Sequence, residues 1–177
     1  MTSLAVAAAG AMRRVCKVAM VLAGTATFVM MLLVTVEVLS RNIFNVSTMI
    51  ADEMGSYLLV ALTFLGLAPT LRDGGFIRVD VYRERTRGAV RAGLDVAIVL
   101  LAVGYTVILD WYLWGLAANS YRLGTTSIQV ARTPLWIPQT VMAIGGTLLL
   151  AELLSSLALV LAGANAEPAA PPRSTEL

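Results

Sequence analysis

Residues 18–36 read VAMVLAGTATFVMMLLVTV and residues 54–71 read MGSYLLVALTFLGLAPTL, and neither run holds a charge. At 1.5 Å per residue they reach about 28 and 27 Å, which is close to the ~30 Å hydrocarbon core of a bilayer. Backbone N–H and C=O groups in lipid must be satisfied within the segment, so each run predicts a transmembrane helix. Two longer apolar stretches follow, 92–116 with Asp95 and Asp110 inside it, and 135–161 with Glu152 inside it. The strict alternation of barrel strands is absent. The expectation is an all-α integral membrane protein of four transmembrane helices.

Composition agrees and removes other chemistries. Of 177 residues, 58% are hydrophobic and 14% charged, against about 45–50% and about 25% in soluble domains. With no histidine in the chain, a Ser-His or Cys-His nucleophile pair, a His general base and a His metal ligand are all impossible. The single cysteine, Cys16, cannot form an internal disulfide or a thiolate zinc site, and reads as a small buried residue. No catalytic, substrate-binding or metal site is expected, and no cofactor. The net charge of +2 and the lack of a basic run interleaved with aromatics argue against nucleic acid as a partner.

The first apolar run follows Arg13, Arg14 and Lys17 but is too long for a signal-peptide core, and no A-x-A site closes it. It predicts a retained anchor. Orientation follows from the short connections, because Lys and Arg stay on the cytoplasmic side. Arg13, Arg14 and Lys17 precede the first span, Arg72, Arg78, Arg83, Arg85, Arg87 and Arg91 lie between the second and third, and Arg173 follows the fourth. The opposite side has Arg41, Arg122 and Arg132. Ten against three predicts both termini cytoplasmic. The expected division is a cytoplasmic N-terminal segment, 1–17, a four-helix membrane domain, 18–162, with spans of about 18–39, 51–71, 92–116 and 135–161, and a disordered Ala/Pro-rich cytoplasmic tail, 163–177.

Charged groups at mid-membrane mark ion or substrate paths, so their depth decides between a carrier and a passive element. Glu37 lies at the outer end of the first span with Arg41 at i+4, a favourable helical pair. Asp52 and Glu53 open the second span, where the helix dipole favours negative charge. Asp110 follows Asp95 by 15 residues, about 22 Å of helix, which carries it toward the outer interface beside Tyr105, Trp111, Tyr112, Trp114 and Trp136. Glu152 lies about 25 Å beyond Leu135, near the inner face, unless the last helix starts only at Thr140, after Pro138, which would make it central. The expectation is that acids collect at the two surfaces. Between spans two and three, Ile77, Val79 and Val81 suit an extended segment and Arg83, Arg87 and Arg91 one helix face, for contact with membrane lipids or a partner protein. Ala19, Ala23 and Thr27, and Gly145 with Gly146, permit close helix packing.

The order of features resembles the small membrane subunit, of DctQ type, of tripartite ATP-independent periplasmic (TRAP) transporters, over about Val18 to Glu152. The resemblance is carried by Asp52-Glu53, Thr63-Phe64-Leu65-Gly66 and Leu71-Arg72-Asp73-Gly74-Gly75-Phe76-Ile77-Arg78-Val79-Asp80, with Arg41 before them. Ser127, Pro134-Leu135-Trp136-Ile137-Pro138 and Gly145-Gly146 are similar to the family's entry into its last helix. Phe76 stands where the family commonly has histidine.

What the resemblance implies is a subunit that does not turn over substrate alone. In the family a large permease subunit carries the substrate and sodium sites and a periplasmic substrate-binding protein delivers an organic acid. The small subunit widens the fixed scaffold, in the bacterial inner membrane. On that reading Glu37, Arg41, Asp52, Glu53, Arg72, Asp80 and Trp136 serve subunit contact or interfacial anchoring. The residues themselves leave two alternatives open: a self-sufficient four-helix ion-coupled exporter acting as a homodimer, and a membrane assembly protein unrelated to transport.

Overall fold

The computed structural model describes residues 2–45, 49–74 and 89–161. They form four helices: α1, Thr2–Phe44; α2, Ile50–Arg72; α3, Ala89–Leu123; and α4, Trp136–Leu161. Each is long and apolar enough to cross a membrane, over Met12–Phe44, Ile50–Arg72, Val96–Leu123 and Trp136–Ala158. No strand occurs among the described residues, only an isolated bridge between Thr126 and Pro134. Helix α1 starts well before the expected span, because a helix loses nothing by continuing past the hydrocarbon through Arg13, Arg14 and Lys17 into a polar region where side chains are solvated. Helix α3 runs seven residues beyond the expected end at 116. The tail 163–177 and most of the basic connection, 75–88, lie outside the described residues.

The helices stand in a row rather than a closed bundle. Helix α1 packs on α2, α2 on α4, and α4 on α3, while α1 and α4 only brush. The α1 seam is Cys16, Ala19, Ala23 and Ala26, all buried, ending at buried Glu37. Steps of three and four residues keep one stripe facing the neighbour, and small side chains let the two backbones approach. Thus Ala19 and Ala23 do what their size suggested, and Ala26 rather than exposed Thr27 continues the seam.

The centre of the row depends on glycine. A Cβ on Gly145 of α4 would lie 2.6 Å from the backbone C and O of Phe64 on α2, and one on Gly146 would lie 2.7 Å from Oδ1 of Asp110 on α3. The adjacent pair therefore faces two neighbours at once, which lets α4 sit between them. Pro138 falls in the first turn of α4, where its missing N–H costs no helical hydrogen bond, so the helix starts at Trp136 and not at Thr140.

Candidate functional site

Polar side chains join the row at three levels. At one end, Glu53 in the first turn of α2 is 2% exposed. It accepts hydrogen bonds from the Tyr57 hydroxyl at 3.1 Å on Oε1 and from the Ala131 N–H at 3.2 Å on Oε2, and the side chains of Ser127 and Thr133 stand near it. Apart from Tyr57 of α2 itself, the residues that reach it come from the 124–135 connection between α3 and α4. That connection is shaped by positive φ at Gly124 (59°) and Arg132 (45°), and closed by Ser127 N to Thr133 O at 2.9 Å and Leu135 N to Thr125 O at 3.1 Å. One carboxylate thus binds the start of α2 to a loop 78 positions away. Its neighbour Asp52 is exposed and lines an open pocket of about 390 Å³ with Glu37, Arg41, Asn42, Val34, Val38 and Ala51. Glu37 is buried, and Arg41 Nη2 stands 3.5 Å from its Oε1. Trp136, the first residue of α4, meets Tyr121 of α3 edge to face, with ring centroids 5.6 Å apart.

At the opposite end, Arg72, the last residue of α2, points Nη1 at Oε2 of Glu152 on α4, 3.6 Å away. The buried Cys16 thiol of α1 lies beside both, so three helices converge there. The Tyr121–Trp136 contact provides a depth scale: Glu152 is 16 residues beyond Trp136, about 24 Å of helix in a core of about 30 Å. It sits toward the far end of the span, level with the end of α2.

The third level bears on the expected place of Asp110: counted from the Tyr121–Trp136 contact, Asp110 is 11 residues before Tyr121 and Thr147 is 11 residues beyond Trp136, about 16 Å of helix in each case, so the two meet well inside the helix pair. The expected place took helix α3 to end near 116, with its aromatics as the headgroup belt; the helix instead continues two turns to Leu123. Asp110 is buried against α4. The Thr147 hydroxyl lies 3.2 and 3.1 Å from Oδ1 and Oδ2 of Asp110 and 2.9 Å from its own helix's Ala143 carbonyl. Its single proton can serve only one of these at a time. Trp114 donates its indole N–H to the Thr147 oxygen at 3.1 Å, so the cluster is a polar cross-link between α3 and α4.

Of the residues singled out from sequence, Glu37 and Arg41 come together, with Asp52 in the same pocket; Glu53 and Arg72 occupy separate ends, and Trp136 is an aromatic contact. Asp80 lies outside the described residues. Sequence reasoning missed Asp110 with Thr147 and the pairing of Arg72 with Glu152. The available signal was that Asp110 lies near the middle of a 28-residue apolar window and that Thr147 directly follows the Gly145-Gly146 pair. Among the described residues no group of three or more His, Cys, Asp or Glu could hold a metal ion.

No curated protein matches the chain. Residues 30–163, about three quarters of its length, match the family described as tripartite ATP-independent periplasmic transporters, DctQ component. The matched region contains α2, α3, α4 and all three polar levels except Cys16. This is a transporter component and not an enzyme family, and it works beside a large permease and a binding protein. The chain belongs to the DctQ family, the small membrane subunits of TRAP transporters.

Proposed function

We propose that this subunit is a fixed brace for the large permease subunit, which itself carries the substrate and sodium sites and takes up an organic acid handed over by the periplasmic binding protein. The observation that supports this is the use made of the buried acids. Glu53 holds a loop, Asp110 accepts from a threonine across a helix contact, and Glu152 faces an arginine. Asp110 faces a packed neighbour, and the pocket of about 390 Å³ lies elsewhere, between α1 and α2. A carrier needs an ionisable group at an accessible midplane site. The row of helices instead offers long apolar flanks to a larger partner.

In this reading both termini are cytoplasmic, in a bacterial inner membrane. The cytoplasmic segment 1–17, membrane domain 18–162 and tail 163–177 keep their assigned sides, with Glu37, Arg41, Asp52, Glu53 and Trp136 at the periplasmic level and Arg72 and Asp80 at the cytoplasmic one. Glu37, Arg41, Asp52, Asp80 and Trp136 serve anchoring or subunit contact, while Glu53 and Arg72 act within the chain, on the 124–135 connection and on Glu152.

Reconstitution provides the test. Vesicles holding this chain with the large permease, supplied with the binding protein and a sodium gradient, take up the organic acid, and vesicles holding this chain alone do not. Asp110→Asn and Glu152→Gln leave uptake intact once the complex has assembled. Gradient-driven uptake by the purified chain alone, abolished by either substitution, would overturn the brace and favour a self-sufficient carrier.

A further inference from the structure

The pocket of about 390 Å³ between α1 and α2 forms where the close seam of α1 gives out. Cys16, Ala19, Ala23 and Ala26 are buried on one stripe, and the next residues on that stripe are Met30 and Leu33, both only half-buried. Small side chains let helices touch, and larger ones hold their axes apart. Ala51, 5% exposed on the facing turn of α2, adds no bulk to close the gap. The resulting cavity falls within the range of about 300–1,000 Å³ usual for small-molecule sites.

Its lining is ordered by polarity. Glu37, Arg41 and Asn42 belong to the last eight residues of the Met12–Phe44 span, and Asp52 to the first three of Ile50–Arg72. Val34 and Val38, both exposed, line the apolar part of the same cavity. Acceptors stand on one hand: Glu37, 7% exposed, and exposed Asp52. Donors stand on the other. The Arg41 guanidinium carries five N–H groups on a side chain that is 60% exposed, 3.5 Å from Glu37. Ala51 and Asp52 lie in the first turn of α2, whose N-cap, Met49, is left-handed and makes no side-chain cap hydrogen bond, so the first-turn N–H groups favour an anion there. Two carboxylates against one guanidinium leave one negative charge in excess.

We infer that this pocket binds the headgroup of a membrane phospholipid whose primary ammonium stands two carbons from its phosphate. The ammonium donates to Glu37 and Asp52, the phosphate accepts from Arg41 and the first turn of α2, and an acyl chain runs along Val34 and Val38. A headgroup with phosphate alone adds its charge to a site already negative, and a quaternary ammonium has no N–H to give the buried carboxylate. A metal ion would meet a guanidinium beside its carboxylates. The inference is independent of the brace reading, which needs no ligand here.

The test titrates the purified, delipidated full chain in detergent with phosphatidylethanolamine, phosphatidylcholine and phosphatidylglycerol of the same acyl chains, read by native mass spectrometry. Phosphatidylethanolamine binds at least about tenfold more tightly than the other two, the equivalent of one hydrogen bond between charged groups. Glu37→Gln and Arg41→Gln each remove most of that preference, and Arg122→Gln, at the end of α3, leaves it unchanged. Arg41 is the more exposed of the pair, so its variant decides the matter if Glu37→Gln does not fold. Equal affinity for the three lipids overturns the inference, as does a preference that survives Arg41→Gln. Glycerophosphoethanolamine, the same headgroup without chains, binds at least about tenfold more weakly, since it has no acyl CH₂ groups to bury on the valines. Binding as tight as that of the lipid would make the ligand a free phosphoethanolamine and overturn the lipid assignment. Uptake by the reconstituted transporter tests the brace separately, so the two failures are told apart.

Discussion

Replacing Glu53 should loosen the 124–135 connection by an amount the hydrogen bonds allow one to estimate. The carboxylate accepts from Tyr57 and Ala131, with the hydroxyls of Ser127 and Thr133 nearby. In Glu53→Ala the three hydroxyls can rotate toward water, and each forfeits a net contribution of about 1 kcal/mol at most. The Ala131 N–H cannot rotate, since the backbone between Gln129 and Arg132 fixes it, and losing the acceptor of this part-buried donor costs about 1 kcal/mol. With water entering at this end of the span, about 3 kcal/mol in total is the expected loss. Glu53→Gln keeps one acceptor oxygen but turns a donor group toward donors, so about 1–2 kcal/mol is expected. Arg132, exposed within the same loop, is a trypsin site. If cleavage proceeds through transient opening of the loop, 3 kcal/mol raises its rate about 100-fold. Tryptic cleavage after Arg132 in detergent, followed by mass spectrometry over time, reads this directly. Asp52→Ala, one residue away and exposed, is the control and should change the rate little. Equal cleavage in wild type and Glu53→Ala, or an equal increase in Asp52→Ala, would refute the idea that this one carboxylate holds the loop.

Other perturbations probe the remaining junctions. Gly145→Leu drives a side chain into the Phe64 backbone, 2.6 Å from where its Cβ must sit, and should lower thermal stability by more than the roughly 1–3 kcal/mol typical of overpacking, whereas exposed Gly24→Leu leaves the melting temperature in place. A double-mutant cycle between Asp110→Ala and Thr147→Val should return a coupling of about 0.6–1.7 kcal/mol, the range for hydrogen bonds between membrane helices; additive effects on unfolding would show that the two do not interact. Glu152→Leu alone removes one of the partners of the part-buried Arg72 and should cost about 1–3 kcal/mol, much of it recovered when Arg72→Met is added, as measured by equilibrium unfolding in mixed micelles. Arg41→Ala, which removes an i,i+4 partner whose side chain is 60% exposed, should change stability by no more than about 0.5 kcal/mol in the same assay.

The amino-acid sequence alone determined that four helices cross a membrane, because span length and apolarity are set against a fixed bilayer thickness and involve no neighbour. It also pointed to the family, through local runs such as Asp52-Glu53 and Leu71-Arg72-Asp73-Gly74-Gly75, and to Gly145-Gly146 as a packing position. Only the tertiary structure decided that the helices form a row with α2 and α4 inside it, since four apolar spans with little amphipathic contrast leave their neighbours unspecified. It also joined Asp110 to Thr147, paired Arg72 with Glu152 and set Glu53 beneath the 124–135 loop. Each of these depends on how far a helix runs and which residue comes to the same height on another. That is a relation between positions as many as 80 residues apart in the chain, and no local pattern carries it.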